Sequence, residues 1–160
     1  SIDPNGPPCV CGLNGCLSMF VGTPALLRRA KDELLARGSK RKPPTSIDEL
    51  VNAALDGEPS CVEVLRYTGN TLGVGIANML NLLNPRTVII GGGIARAGDL
   101  ILDPLQEAIR GLSLPASIRE TEIKTTGLNE WGIAVGAATL ALEAALETPS
   151  LFPVASRGVA

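Results

Sequence analysis

Histidine is absent from this 160-residue chain, and only four residues are aromatic. A core with so few rings must be built from Leu, Ile, Val and Ala, which suits close-packed helices and a buried sheet better than a β-sandwich. Without histidine, the chain also lacks the usual fourth ligand of a Cys₃His zinc site. The four aromatic residues are Phe20, Tyr67, Trp131 and Phe152.

Charge and long apolar runs are limited as well. The net charge is −2, and the basic cluster at residues 37–42 (RGSKRK) is a short run in a predicted loop, so no nucleic-acid surface is expected. No apolar run approaches the roughly 18 residues that span a bilayer, so no membrane partner is expected. The polar, turn-rich start SIDPNGPP shows no signal peptide, which favours a cytoplasmic protein. Because this start has no initiator Met, we expect the chain to be part of a longer protein.

Three of the four cysteines lie in the segment CVCGLNGC at residues 9–16. Gly12 and Gly15 permit tight backbone turns, so Cys9, Cys11 and Cys16 are expected to point at one centre. Zn²⁺ takes four tetrahedral ligands, with Zn–S distances of about 2.3 Å. The spacing therefore predicts a structural zinc site with three cysteine ligands, and water, another chain or a residue before residue 1 as the fourth.

Two other interpretations of these cysteines stay open, namely free thiols in a reducing cytosol and an adventitious disulfide. Cys61 is a weak alternative as the fourth ligand. It lies near the start of a long helical pattern and is predicted to be a small core residue.

Helical periodicity and boundary residues predict five helices and two strands. Thr23 is expected to be the N-cap of the first helix, and Ser46 with Glu49 forms a capping box for the second. The strand–helix–strand spacing in the second half predicts a parallel pair with a right-handed crossover. The predicted helices are residues 23–37, 46–56, 59–83, 99–112 and 131–146, and the predicted strands are 87–93, buried on both faces, and 121–126.

Small residues mark three further places. Gly69, Gly73 and Ala77 share one face of the long helix, which indicates either tight helix packing or a ligand. Gly91–Gly93 follows a strand, where ligands of open α/β sheets bind, so the turn is either structural or a nucleotide contact. The last helix is expected to turn its small face inward (Gly132, Gly136, Ala137, Leu140, Ala141), before a tail anchored by Leu151 and Phe152.

The cysteine knuckle together with IANMLNLLNPRTVIIGGGIARAGDLILDPL resembles the ROK family of repressors, open reading frames and sugar kinases, over about residues 1–146. The resemblance covers only the C-terminal part of a family member. It implies an α/β fold that is part of an actin-like (ribonuclease H-like) ATPase lobe, helix-rich with a small parallel β component. The expected divisions are a zinc-knuckle segment (1–22), a C-terminal ROK lobe (23–147) and a C-terminal tail (148–160).

The resemblance also implies roles for particular residues. Zinc would be structural, with a histidine just before residue 1 as its fourth ligand, beside a sugar pocket. Gly91–Gly93 would lie on the adenine–ribose side of a kinase, near the helix that carries Gly73 and Gly75. The family pattern continues Gly-Cys-x-Glu, and that Glu binds a sugar hydroxyl, but this chain has Ser18 in its place. Serine is neutral and shorter, so sugar affinity or identity is expected to differ.

Three functions follow as hypotheses. The first is the C-terminal part of a ROK transcriptional regulator that binds a sugar or sugar-phosphate effector. The second is a fragment of a glucokinase-like sugar kinase, which would use ATP and Mg²⁺ only as a full-length protein, because the family's catalytic Asp lies upstream. The third is a non-catalytic, zinc-stabilised interaction module. No kinase activity is expected of the isolated chain, DNA would be bound only through a missing N-terminal domain, and uncovered apolar surface predicts a homo-oligomer.

Overall fold

The computed structural model describes residues 1–128 and 131–148. Most of the predicted tail, including Leu151 and Phe152, lies outside the described residues. The elements in chain order are α1 (Leu17–Val21), α2 (Thr23–Ala36), α3 (Ile47–Leu55), α4 (Pro59–Leu83), β1 (Thr87–Ile90), a 3₁₀ turn (Gly93–Ala97), α5 (Asp99–Leu112), α6 (Pro115–Glu120), β2 (Glu122–Thr125) and α7 (Gly132–Glu147).

The N-terminal boundaries of two helices differ in how well the sequence predicts them. Ser46 caps α3 as predicted, since its hydroxyl accepts the Glu49 N–H at 3.2 Å. The prediction that Thr23 caps α2 is wrong, because Thr23 is already helical and Gly22 is the N-cap. The Gly22 carbonyl accepts the Ala25 and Leu26 N–H groups, and the Gly22 N–H donates to the carbonyl of Ser18, the second residue of α1. Gly22 therefore joins two helices with no loop between them.

The long helix α4 packs against α5 along its glycines. A Cβ added at Gly69 would lie 2.7 Å from Pro104 Cγ, and one at Gly73 would lie 2.6 Å from Ala108 Cβ. The small face of α4 is therefore a close helix contact, which is the packing interpretation of the sequence, and α5 leaves no room there for a ligand. The largest fully buried side chains include Leu26, Leu34, Leu50, Leu65, Leu80, Ile101, Leu105 and Ile109.

The two strands are parallel, as predicted, with Val88 paired to Ile123. The prediction that the first strand is buried on both faces is wrong: Val88 and Ile90 are buried, while Thr87 and Ile89 are exposed. Val88 and Ile90 join the core with side chains of α4 and α5, which cover one face of the sheet. The apolar sequence of β1 therefore did not indicate whether one or both faces of the strand are covered by the described residues.

The last helix forms where predicted, but its expected inward face is wrong. No residue of α7 is buried, and Leu140 has 68% of its surface exposed. Apolar residues occur on all sides of α7, so its pattern does not define one core-facing side. No helix in the described part of the chain combines the length and apolar character needed to cross a membrane.

Candidate functional site

Residues 9–16 fold into a tight knuckle. The Cys9 N–H donates to the Leu13 carbonyl at 2.8 Å, and the Gly12 N–H donates to the Cys9 carbonyl at 3.0 Å. Gly12 and Gly15 have φ values of 88° and 61°, a region that residues with a Cβ rarely adopt. The glycines therefore allow the backbone reversal that the sequence predicted.

The first residues of the chain wrap around this knuckle. The Gly15 carbonyl accepts the Ile2 N–H at 2.9 Å and the Asp3 N–H at 3.4 Å, while the Gly15 N–H donates to the Pro7 carbonyl at 2.8 Å. A Cβ at Gly15 would overlap the Asp3 carbonyl oxygen. Gly15 therefore serves two needs at once: it takes a left-handed conformation, and it leaves space for the N-terminal segment.

The knuckle brings the predicted metal ligands together. The sulfur atoms of Cys9, Cys11 and Cys16 all lie within 4.8 Å of one another, and the Cys11 and Cys16 sulfurs are 3.4 Å apart. Tetrahedral zinc with Zn–S bonds of about 2.3 Å separates its sulfurs by about 3.8 Å, so these donors fit a zinc ion after small adjustments. Cys61 is fully buried in α4, as predicted for a core residue, and is not in this group.

The three thiols also influence one another's protonation. Hydrogen bonds from the Cys11 backbone, the Cys11 and Cys16 thiols and the Ser18 hydroxyl lower the pKa of Cys9 to about 7. The pKa of Cys16 rises to about 11, because hydrogen bonds to Cys11 and then Cys9 favour its protonated form. Without a cation the cluster therefore ionises stepwise, since a second negative sulfur is unfavourable beside the first. A bound cation would favour thiolates at all three positions.

Ser18 lies directly after the knuckle. It is the second residue of α1, and its side chain is exposed. Leu17, the residue before it, packs on α4, where a Cβ at Gly75 would lie 3.1 Å from Leu17 Cδ2. The position of Ser18 is thus fixed by Cys16 of the knuckle, which precedes α1, and by the contact of Leu17 with α4. Its assignment to a sugar remains a prediction.

Gly91–Gly93, the glycine turn, lies at the carboxyl edge of the sheet, directly after β1. The Thr126 N–H donates to the Ile90 carbonyl at 2.9 Å, so β1 and β2 end side by side. Gly92 has a φ of 85°, and a Cβ there would meet nothing within 4 Å. This open edge is where parallel sheets bind ligands, so the turn has the exposure that its predicted role requires.

Grooves adjoin the glycine turn on two sides. One of about 310 Å³ reaches α7, and one of about 220 Å³ reaches the end of α1 at Val21. The short helix α1 thus starts at the cysteine knuckle and ends beside a groove that the glycine turn also lines, although Ser18 lines neither groove. The first groove is lined by Ile89, Gly91, Gly92, Thr126, Leu128, Gly132 and Ile133, and the second by Val21, Thr23, Leu26, Ile47, Gly92, Gly93 and Ile94.

A polar contact beneath the glycine turn was missed by sequence reasoning. Arg96 Nη1 donates to Asp48 Oδ1 at 2.6 Å, and Arg96 Nη2 donates to Asn52 Oδ1 at 2.9 Å. The spacing of Asp48 and Asn52, four residues apart on one helix, was an available signal. Nothing in the sequence paired them with an arginine so far along the chain.

The chain is helix-rich with a small parallel sheet and forms part of an actin-like ATPase fold, as predicted from the sequence. The family model described as "ROK family" matches residues 1–144. The chain belongs to the ROK family, which confirms the resemblance.

The relatives include both regulators and enzymes. The DNA-binding transcriptional repressor Mlc of Escherichia coli K12 is 30% identical over 139 residues, which cover 86% of this chain and 34% of Mlc. A glucokinase of Thermotoga maritima is 28% identical, over 89% of this chain and 47% of the enzyme. A ROK glucokinase from Streptomyces griseus, solved with glucose and AMPPNP, matches with a TM-score of 0.74 and 28% identity, over 88% of this chain and 49% of that one. The chain thus spans about a third to a half of the length of these relatives.

Proposed function

We propose that this chain is the C-terminal, effector-binding part of a ROK transcriptional regulator, with a structural zinc held by Cys9, Cys11 and Cys16. The observation that carries the proposal is the convergence of the three sulfurs within 4.8 Å, directly before the helix that bears Ser18. Zinc there would cross-link the knuckle and hold α1 against α4. Its fourth ligand would be water, another chain or the upstream histidine that the resemblance implies.

This arrangement suggests a separate role for each of three segments of the chain. Residues 1–22 would form the zinc-ordered segment beside the sugar, residues 23–147 the lobe that supports it, and residues 148–160 a tail. The effector would be a sugar or sugar phosphate near Ser18. A neutral hydroxyl makes a hydrogen bond about half as strong as a charge-assisted one, so Ser18 suits weaker, sensor-like binding. The similarity to the Mlc repressor supports a regulator.

A kinase fragment is the second candidate, and the open glycine turn favours it. The S. griseus glucokinase, which matches most of this chain, was solved with glucose and AMPPNP. In a full-length kinase, ATP and Mg²⁺ would bind with the nucleotide near Gly91–Gly93. The catalytic base would come from the upstream part that the resemblance implies, so residues 1–160 alone should not transfer phosphate.

Sugar titration tests whether this chain binds a carbohydrate, as both candidates require. Isothermal titration of zinc-loaded chain with a panel of hexoses and hexose phosphates should detect one saturable ligand, and Ser18→Glu should change its affinity at least tenfold. Met19→Leu, at a half-buried neighbour in α1, is the matched control and should leave affinity unchanged. Absence of saturable binding by any sugar would refute effector binding by this chain and favour an interaction module.

A coupled ADP-release assay is the second arm. The isolated chain should show no turnover that requires both ATP and a hexose. Turnover above the background of a heat-denatured sample would contradict the regulator proposal and assign the reaction to these 160 residues.

We further propose that the protein is a homo-oligomer and meets DNA only through a domain outside this chain. Exposed apolar side chains on β1 and α7, including Ile89 at 60% and Ile133 at 88%, support an uncovered interface. Sedimentation should show a dimer or larger assembly, and a monomer at tens of micromolar would contradict this part of the proposal.

A further inference from the structure

An arginine clamp, formed by Arg96 with Asp48 and Asn52, fastens the glycine turn to α3. Arg96 lies in the 3₁₀ turn that begins at Gly93, and its two terminal nitrogens reach Asp48 at 2.6 Å and Asn52 at 2.9 Å. Asp48 and Asn52 are four residues apart, so they lie on one face of α3. One planar guanidinium therefore joins elements that are far apart in the sequence.

The turn also rests directly on α3. A Cβ added at Gly93 would lie 3.2 Å from Ile47 Cγ2 and 3.7 Å from Asp48 Oδ1. A Cβ at Gly92 would meet no atom within 4 Å. The turn thus has one side held by α3 and one side open, which is the arrangement expected of a backbone segment that is held in place to meet a ligand.

Helix α3, which contacts the turn, is itself anchored in the core. Ser46 caps α3, and Leu50, Val51, Ala53 and Ala54 are buried in the core. Arg96 is partly exposed, with 37% of its side chain accessible, so its removal should not open the core. The clamp therefore fixes the turn to the core without being part of it.

We infer that Arg96 is a positioning residue that holds the Gly91–Gly93 backbone ready for a phosphate ester, either a nucleoside triphosphate or a sugar phosphate. The inference rests on the proposed ligand role of the glycine turn. Backbone N–H groups in glycine-rich turns bind anions, and they bind more tightly when the turn is already ordered. Both terminal nitrogens of Arg96 bond to α3, so the role assigned to the guanidinium is to hold the turn, and direct contact with the ligand is the alternative that the test must exclude.

Alanine variants separate positioning from direct contact. The zinc-loaded chain is titrated with AMPPNP, glucose 6-phosphate and inorganic phosphate, and the first two probes distinguish the two sources of phosphate. Arg96→Ala and Asp48→Ala should each weaken the bound phosphate ester about tenfold, which is about 1.4 kcal/mol. The double variant should be no weaker than either single one, since both break the same clamp. If Asp48→Ala keeps or tightens binding while Arg96→Ala loses it, Arg96 contacts the ligand and the positioning role is refuted.

Arg66→Ala is the matched control. Arg66 forms a two-bonded pair with Glu63 on α4, at 2.9 and 2.8 Å, far along the chain from the glycine turn. Its loss should leave affinity for all three probes unchanged. An equal loss in Arg66→Ala and Arg96→Ala would show a general effect of removing an arginine and overturn the inference.

Amide hydrogen exchange tests the clamp without a ligand. The Ala95 N–H bonds to the Gly92 carbonyl at 3.0 Å, so its exchange reports the order of the turn. Arg96→Ala should speed this exchange about tenfold, while Arg66→Ala should not. Unchanged exchange in Arg96→Ala overturns the clamp itself. A different outcome is faster exchange in Arg96→Ala together with a wild-type chain that binds none of the three probes. That outcome keeps the contact between Arg96 and α3 but overturns the ligand role of the turn, and with it the functional part of the inference.

Discussion

Replacing Gly15 by alanine tests how the knuckle is held. Gly15 has a φ of 61°, where a residue with a Cβ costs about 1–2 kcal/mol. Its new Cβ would also strike the Asp3 carbonyl, and this would displace the segment whose Ile2 and Asp3 N–H groups bond to the Gly15 carbonyl. Each lost hydrogen bond costs about 0.5–1.5 kcal/mol net. Strain and the two lost hydrogen bonds together cost about 2–5 kcal/mol.

Gly12→Ala is the matched control for this change. Gly12 has a φ of 88°, so alanine is strained there too, but its Cβ would meet nothing within 4 Å. Its cost should therefore be only the backbone strain, about 1–2 kcal/mol. The two variants share the strain and differ in the contact with residues 2 and 3.

Chelator competition measures both variants, because ordering the knuckle and binding the proposed zinc would be coupled. Gly15→Ala should weaken zinc binding by about two orders of magnitude, and Gly12→Ala by about one, at 1.4 kcal/mol per tenfold. Equal losses would refute the conclusion that the N-terminal segment is held through Gly15.

Three further predictions concern the core and the cysteines. Gly69→Ala should lower the free energy of unfolding by about 1–3 kcal/mol, because its Cβ would press on α5, whereas Gly111→Ala, which meets no atom, should be neutral or stabilising in the same melts. Cys61→Ser should lower stability by about 1–3 kcal/mol by burying a hydroxyl without changing zinc content; a lower zinc content would make Cys61 a ligand. In zinc-free chain, alkylation of Cys9 should rise through about pH 7, while Cys16 stays largely protonated until about pH 11, and equal onset by mass spectrometry would contradict the hydrogen-bond arrangement.

The long elements could be predicted from the sequence because each carries many independent signals. In α4, Pro59 at the start, apolar residues at three- and four-residue steps, and Asn84–Pro85 at the end all agree, and the observed helix is Pro59–Leu83. The short helices α1 and α6 were missed, since five or six residues are too few for a period to show. Their ends are set by the knuckle and the strand beside them.

Burial was harder to predict than element type. Ile89 lies in a run of β-branched residues yet is exposed, because a strand's sequence does not say which of its faces other elements cover. The residues of α7 show the same limit for a helix that is apolar all round. In the site, the knuckle was predictable because cysteine and glycine spacing is local, whereas the contact of Arg96 with α3 depends on tertiary packing.

Metal analysis of the purified chain tests the central claim most directly, since the proposed zinc in the knuckle would hold α1 and Ser18 in position. Elemental analysis of protein prepared without chelator should find about one zinc per chain, and Cys11→Ser should lower both zinc content and thermal stability. Well under one zinc per chain, or a Cys11→Ser variant that melts like the wild type, would contradict a structural zinc site at Cys9, Cys11 and Cys16.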